Sequence, residues 1–225
     1  MKIKEKIQQW KEYSKMSDLG IIARRKFFNN AFDGALTCAG IVSGIFIIVL
    51  NQTFLAEPLT FESQDVLITG FATALAIGIS GLWGAFLSEE AERKKKVIDM
   101  KKQMAEVEEE PENPEFKYIK KNFKKGNEKK PRTLLEKAEK FATIVASLVD
   151  GGAPVLGSSL PLIPFFFGAS LTLIHFIFSY VILASLLIYL GIFLGQISGG
   201  GRLRYAMHLI TAGVVTLIIS ILLGI

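Results

Sequence analysis

The sequence predicts an all-α membrane protein with five transmembrane helices, and composition and hydropathy both indicate this class. Half of the 225 residues are hydrophobic, and the mean hydropathy is +0.39. A helix of about 20 apolar residues spans the hydrocarbon core of a bilayer. Five such windows occur in the chain, at 31–50, 66–88, 141–162, 165–195 and 205–225. The Pro161–Pro164 run predicts a tight turn between the third and fourth windows.

Basic residues predict how the five spans are oriented. Of the 26 Lys and Arg, eight lie in 1–30, sixteen in 89–140, and the last two are Arg202 and Arg204. Cytoplasmic loops carry the excess of Lys and Arg. We therefore expect a cytoplasmic N-terminus, a cytoplasmic insert between spans two and three, and a C-terminus outside. Orientation accounts for the net charge of +5, so no nucleic-acid partner is expected.

Two charged segments flank the first pair of spans, which occupies 31–88. Residues 1–30 contain no long apolar stretch typical of a signal peptide, and Ile3, Ile7 and Trp10 recur on one face among lysines. This pattern predicts an amphipathic helix in the cytoplasmic interface, with a frayed basic tail as the alternative. The insert at 89–140 reads as helical, or else as a solvated hairpin, before spans three to five in 141–225.

Asp33 and Asp150 are the acidic residues inside the apolar spans, and a glycine follows each of them. A carboxylate at membrane depth is costly and by default indicates a functional site. Because desolvation penalises its charged form, it can exchange a proton for a cation. The neutral oxygens of Asn29, Asn30, Thr37 and Ser147 could complete a site. Alternatively, each aspartate caps or kinks the start of a helix.

Several short motifs together resemble the vacuolar iron transporter family, in particular an archaeal or bacterial branch of it. Span one contributes Asp33-Gly34-Ala35-Leu36-Thr37 after Arg24-Arg25. Span two contributes Gly70-Phe71-Ala72 and Gly84-Ala85-Phe86-Leu87-Ser88, and the turn contributes Pro161-Leu162-Ile163-Pro164-Phe165. The resemblance implies a transporter rather than an enzyme. It would be a homodimer in a prokaryotic cell membrane that exports Fe²⁺ or Mn²⁺ in exchange for protons, with no tightly bound cofactor.

The resemblance also implies an ion pathway, and this chain matches it only in part. Asp33 stands at the family's span-one aspartate. Thr73 stands where the family has a glutamate, and Gly81 where it has a methionine. We therefore assign the pathway to Asp33 and Asp150 with Thr37, Thr73 and Asn30, Asp150 being a replacement ligand. Oxygen ligands of this kind favour hard ions such as Mn²⁺ or Mg²⁺.

Glutamates after span two form a second predicted metal site by the same resemblance. Carboxylates three or four residues apart share one helix face and can converge on a cation. The candidates are Glu89, Glu92, Glu106, Glu109 and Glu110. The alternative is a solvated helix face, because many of these residues are interleaved with lysines.

Two other functions compete with transport. An intramembrane aspartyl protease also uses two membrane aspartates, but its Gly-x-Gly-Asp pattern is missing, because Ser147-Leu148-Val149 precedes Asp150. The absence of the family's ligands at Thr73 and Gly81 leaves a non-transporting scaffold or metal-responsive relative as the alternative to a transporter. His175 and His208, alone in their spans, are expected to be hydrogen-bond partners between helices.

Overall fold

The computed structural model describes residues 3–56, 58–107, 134–168 and 170–223. Its regular elements in these ranges are all helices. They are α1 (Ile3–Met16), α2 (Leu19–Phe54), α3 (Ser63–Val107), α4 (Leu134–Ser159), a 3₁₀ helix (Leu160–Phe166), α5 (Leu173–Ser198) and α6 (Arg202–Leu222). Helices α2 to α6 provide five segments long and apolar enough to cross a membrane. The predicted five-span helical class is confirmed.

Two predicted boundaries differ from the structure. The segment 1–30 is not one interfacial element, because α1 ends at Met16 and α2 begins at Leu19 and continues through span one. The hydropathy window recorded only the apolar part of a longer helix. The fourth span begins at Leu173 rather than at residue 165. Phe165 and its neighbours are apolar, but they belong to the 3₁₀ helix and the loop after it.

The chain divides into two units, and the first comprises residues 1–20 and 84–145. In this unit α1 packs its aromatic side chains on Phe141 of α4, with ring centroids 6.0 Å from Trp10 and 5.9 Å from Tyr13. Tyr13 is buried, whereas Ile3, Ile7 and Trp10 remain exposed. The end of α1 nearest α2 is therefore fixed by aromatic contacts, and its predicted membrane-interface role stays a prediction.

The second unit comprises residues 21–83 and 146–225, and α2 supplies much of its core. One cluster packs Cys38 and Val42 of α2 against Leu162, Phe165 and Phe176. Another packs Ala35 and Ala39 of α2 against Leu183 and Leu187 of α5. Small residues on α2 therefore accommodate the larger side chains of α5.

Glycine allows the backbones of three helices to come into contact. A methyl group added at Gly34 of α2 would collide with the backbone of Pro154 on α4, and one at Gly157 of α4 with the backbone of Ala31. Gly151 of α4 likewise contacts the backbone of Gly78 on α3. Small residues at helix crossings are the usual means of close packing in membranes. Helix α4 is thus in close backbone contact with both α2 and α3.

His175 fixes the loop that precedes α5. Its Nε2 lies 2.6 Å from the carbonyl oxygen of Phe167, and its Nδ1 lies 3.2 Å from the backbone nitrogen of Thr172. A neutral ring that donates from Nε2 and accepts at Nδ1 satisfies both contacts. The expected helix-to-helix hydrogen bond is therefore wrong for His175, because its partners lie in the loop before its own helix.

We expect His175→Ala to lower the free energy of unfolding by about 1–3 kcal/mol, since the loop loses two backbone partners. His208→Ala is the matched control, because His208 is exposed in the next span. Thermal unfolding in detergent would compare the two variants. Equal melting temperatures would contradict a structural role for His175.

Candidate ion pathway

Asp33 is an unpaired carboxylate within the apolar part of α2. Its side chain is exposed, and no described residue donates a hydrogen bond to it or forms an ion pair with it. The hydroxyl of Thr37 donates to the backbone oxygen of Asp33 at 2.9 Å, so it does not partner the carboxylate. A charge left unpaired at membrane depth requires a cation, a proton or another partner.

Asp150 on α4 is, in contrast, fully engaged by α2. Its Oδ2 lies 2.6 Å from Nζ of Lys26, and Nδ2 of Asn30 donates to its Oδ1. Lys26 and Asn30 are four residues apart, so they lie on one face of α2 and meet one carboxylate. The side chains of Lys26 and Asp150 are 25% and 16% exposed. The pair is therefore partly desolvated and joins α2 to α4.

The two aspartates share no hydrogen-bond partner among the described residues. Where the chain is described, no group of three or more His, Cys, Asp or Glu side chains could hold a metal ion. An aspartyl protease needs two carboxylates that share a proton. Asp150 is bonded to Lys26 and Asn30, whereas Asp33 is bonded to neither of them. The two aspartates therefore do not form such a dyad.

Thr73 and Gly81 occupy the two positions on α3 where the family has a glutamate and a methionine. The Thr73 hydroxyl donates to the backbone oxygen of Thr69 at 2.8 Å, so it serves its own helix. A β-carbon at Gly81 would lie 2.9 Å from the carbonyl oxygen of Asp150. Pro154 has no N–H to offer this carbonyl, which faces α3 without its helical donor. A side chain at position 81 would require α3 and α4 to separate.

The predicted glutamate site stays a prediction. Glu89 is half-buried and Glu92 is exposed, both beyond the apolar part of α3. Glu109 and Glu110 lie outside the described residues, and Glu106 lies in α3 with a side chain that is not described.

Sequence reasoning missed the role of Lys26, although a signal was present. Lys26 is the last basic residue before span one and lies four positions before Asn30, which was already a candidate. Ser147, three residues before Asp150 on α4, was named as an oxygen donor. Its buried hydroxyl has no hydrogen-bond partner among the described residues.

These features define a polytopic helical membrane protein in which, among the described residues, Asp150 is paired and Asp33 is unpaired within the apolar parts of the spans. The family model for the VIT family matches residues 25–225, and the chain belongs to this family of membrane metal-ion transporters. The chain is also similar to the uncharacterized protein MJ0645 of the archaeon Methanocaldococcus jannaschii. The two are 25% identical over 174 residues, which cover 77% of this chain and 74% of the relative.

Proposed function

We propose that this protein exports a divalent cation, Fe²⁺ or Mn²⁺, from the cytoplasm in exchange for protons, with Asp33 as the central ligand. The observation that carries the proposal is the unpaired Asp33 carboxylate in an apolar helix. A carboxylate in an apolar segment needs a partner for its charge, which can be a proton or a bound cation. Alternation between these two states couples metal release to proton entry.

Family membership supports a metal ion as the transported substrate. The chemistry of the ligands narrows the choice of ion. Asp33 supplies carboxylate oxygens, and the family's methionine position is occupied by Gly81. Carboxylate ligands suit Mn²⁺, whereas thioether ligands suit softer ions. We therefore expect Mn²⁺ to be carried at least as well as Fe²⁺. The distribution of basic residues supports a cytoplasmic N-terminus and an outer C-terminus, and we propose a prokaryotic cell membrane as the location.

The test is uptake of Mn²⁺ and Fe²⁺ into proteoliposomes with and without an imposed pH gradient. Support would be uptake that depends on protein and increases when the lumen is more acidic than the medium. No protein-dependent uptake of either ion would reject transport. Uptake indifferent to the gradient would reject proton coupling alone.

A second candidate, a non-transporting relative that senses metal or organises partners, is favoured by one observation. Thr73 bonds to its own helix, and Gly81 has no room for a ligand side chain. The same assay separates the two functions, because a sensor binds Mn²⁺ without moving it across the bilayer.

The working unit we propose is a homodimer that covers the exposed Asp33 face of α2. Asn29 and Asp33 are both exposed and lie four residues apart on that face. We expect Asn29→Cys, in a Cys38→Ser background, to form a crosslinked dimer in native membranes. Leu203→Cys at the exposed start of α6 is the control. Equal crosslinking at the two positions would contradict an interface centred on α2.

A further inference from the structure

The Lys26 ammonium is a cation that the chain itself places on Asp150. Both carboxylate oxygens accept hydrogen bonds from α2, one from Lys26 at 2.6 Å and one from Asn30. The oxygens of an aspartate that binds a metal would be used in the same way. Lys26 thus occupies the position that an external cation would need.

Oxygen atoms around this position can replace the lysine. If the Asn30 amide turns by half a rotation, its oxygen faces the site in place of its nitrogen. Ser147 lies three residues before Asp150, about 4.5 Å along the α4 axis. Its hydroxyl is buried and lacks a partner among the described residues, so it is not committed to another hydrogen bond. Carboxylate, amide and hydroxyl oxygens are typical ligands of hard divalent ions.

Lys26 lies close to Asp33 along α2, and its side chain is able to move. Seven residues separate them on α2, which corresponds to two turns and about 10 Å along one helix face. The lysine side chain is one-quarter exposed, so it can leave Asp150 without crossing the core. A long, flexible lysine side chain is suited to such movement.

We propose that Asp150, Asn30 and Ser147 form a second divalent-cation site, separate from Asp33, and that Lys26 is its resident cation when no metal is bound. The choice of ion rests on the proposed function. A divalent ion displaces the ammonium from Asp150, and the ammonium returns when the ion leaves. Lys26 is therefore a positioning and selectivity residue, since an ion must replace a positive charge to bind.

The first experiment measures lysine exposure in the unaltered full-length protein. An amine-reactive reagent is applied in detergent with and without Mn²⁺, and mass spectrometry quantifies labelling of Lys26 relative to the exposed Lys15 of α1. We expect Mn²⁺ to raise Lys26 labelling severalfold and to leave Lys15 unchanged. Labelling of Lys26 that does not respond to Mn²⁺ would overturn the proposal.

The second experiment measures equilibrium Mn²⁺ binding to Lys26→Met. We expect the Asp150 site to bind about tenfold more tightly, because no internal ion pair must break first. The gain should vanish in Lys26→Met/Asp150→Asn. Arg25→Met, which removes an exposed charge from the adjacent position, should bind as the unaltered protein does. A folded Lys26→Met protein without tighter binding would show that the pair is only structural.

One readout is of lysine labelling and the other is of equilibrium binding, so neither outcome depends on transport. Mn²⁺-dependent release of Lys26 in a protein that moves no ion would retain this site and reject the transporter. If the protein transports Mn²⁺ but labelling of Lys26 does not respond to Mn²⁺, the transporter would be retained and this site rejected.

Discussion

Asp33→Asn is expected to reduce the initial rate of Mn²⁺ transport in proteoliposomes by at least about 100-fold, because even residues that only orient a metal ligand cost 10–100-fold when altered. The substitution keeps the shape of the side chain and removes its charge. It should leave stability unchanged or slightly higher, since the carboxylate has no partner among the described residues. Loss of transport without loss of folding is therefore the expected pattern.

Asp99→Asn is the matched control for this substitution. Asp99 is an exposed carboxylate on α3, beyond the apolar part of that helix, so its removal should leave the transport rate unchanged. Melting temperature and yield of both variants would be measured beside the rate. Transport by Asp33→Asn at the rate of Asp99→Asn would contradict the role given to Asp33.

The spans were predictable because a bilayer imposes one length and one composition on each helix. The ends of the helices were less predictable from the sequence, because charged residues do not terminate a helix. Arg24, Arg25 and Lys26 lie within α2 although they are outside the hydropathy window. Phe165 is the opposite case, because it is apolar and yet lies outside the α-helical spans. It belongs to the 3₁₀ helix that contains Pro161 and Pro164.

The candidate site was predictable as a set of residues but not as an arrangement. Asp33 and Asp150 followed from the cost of a carboxylate in an apolar segment. The partner of Asp150 depends on the register between α2 and α4, which joins positions 124 residues apart. That register is set by Gly34 and Gly157, whose contacts appear only once the helices are packed. The two Asp-Gly pairs therefore resemble each other in sequence and differ in environment.

Gly34→Ala is expected to destabilise the protein by about 3 kcal/mol, the upper part of the range for an overpacked contact. The new methyl group would meet the backbone of Pro154, which cannot move as a flexible side chain can. Separation of α2 from α4 would also weaken the 2.9 Å hydrogen bond from Ser158 Oγ to the Gly34 carbonyl oxygen. The same movement would stretch the pair between Lys26 and Asp150.

Gly152→Ala tests whether this loss comes from packing rather than from the substitution itself. Gly152 lies inside α4, is exposed, and has no atom within 4 Å of an added β-carbon. Alanine is favoured over glycine in a helix by about 1 kcal/mol, so this variant should be as stable as the unaltered protein or more so. Unfolding in detergent would compare the two. A Gly34→Ala protein as stable as Gly152→Ala would mean that α2 and α4 are not in backbone contact, and the register that brings Lys26 to Asp150 would then lose its basis.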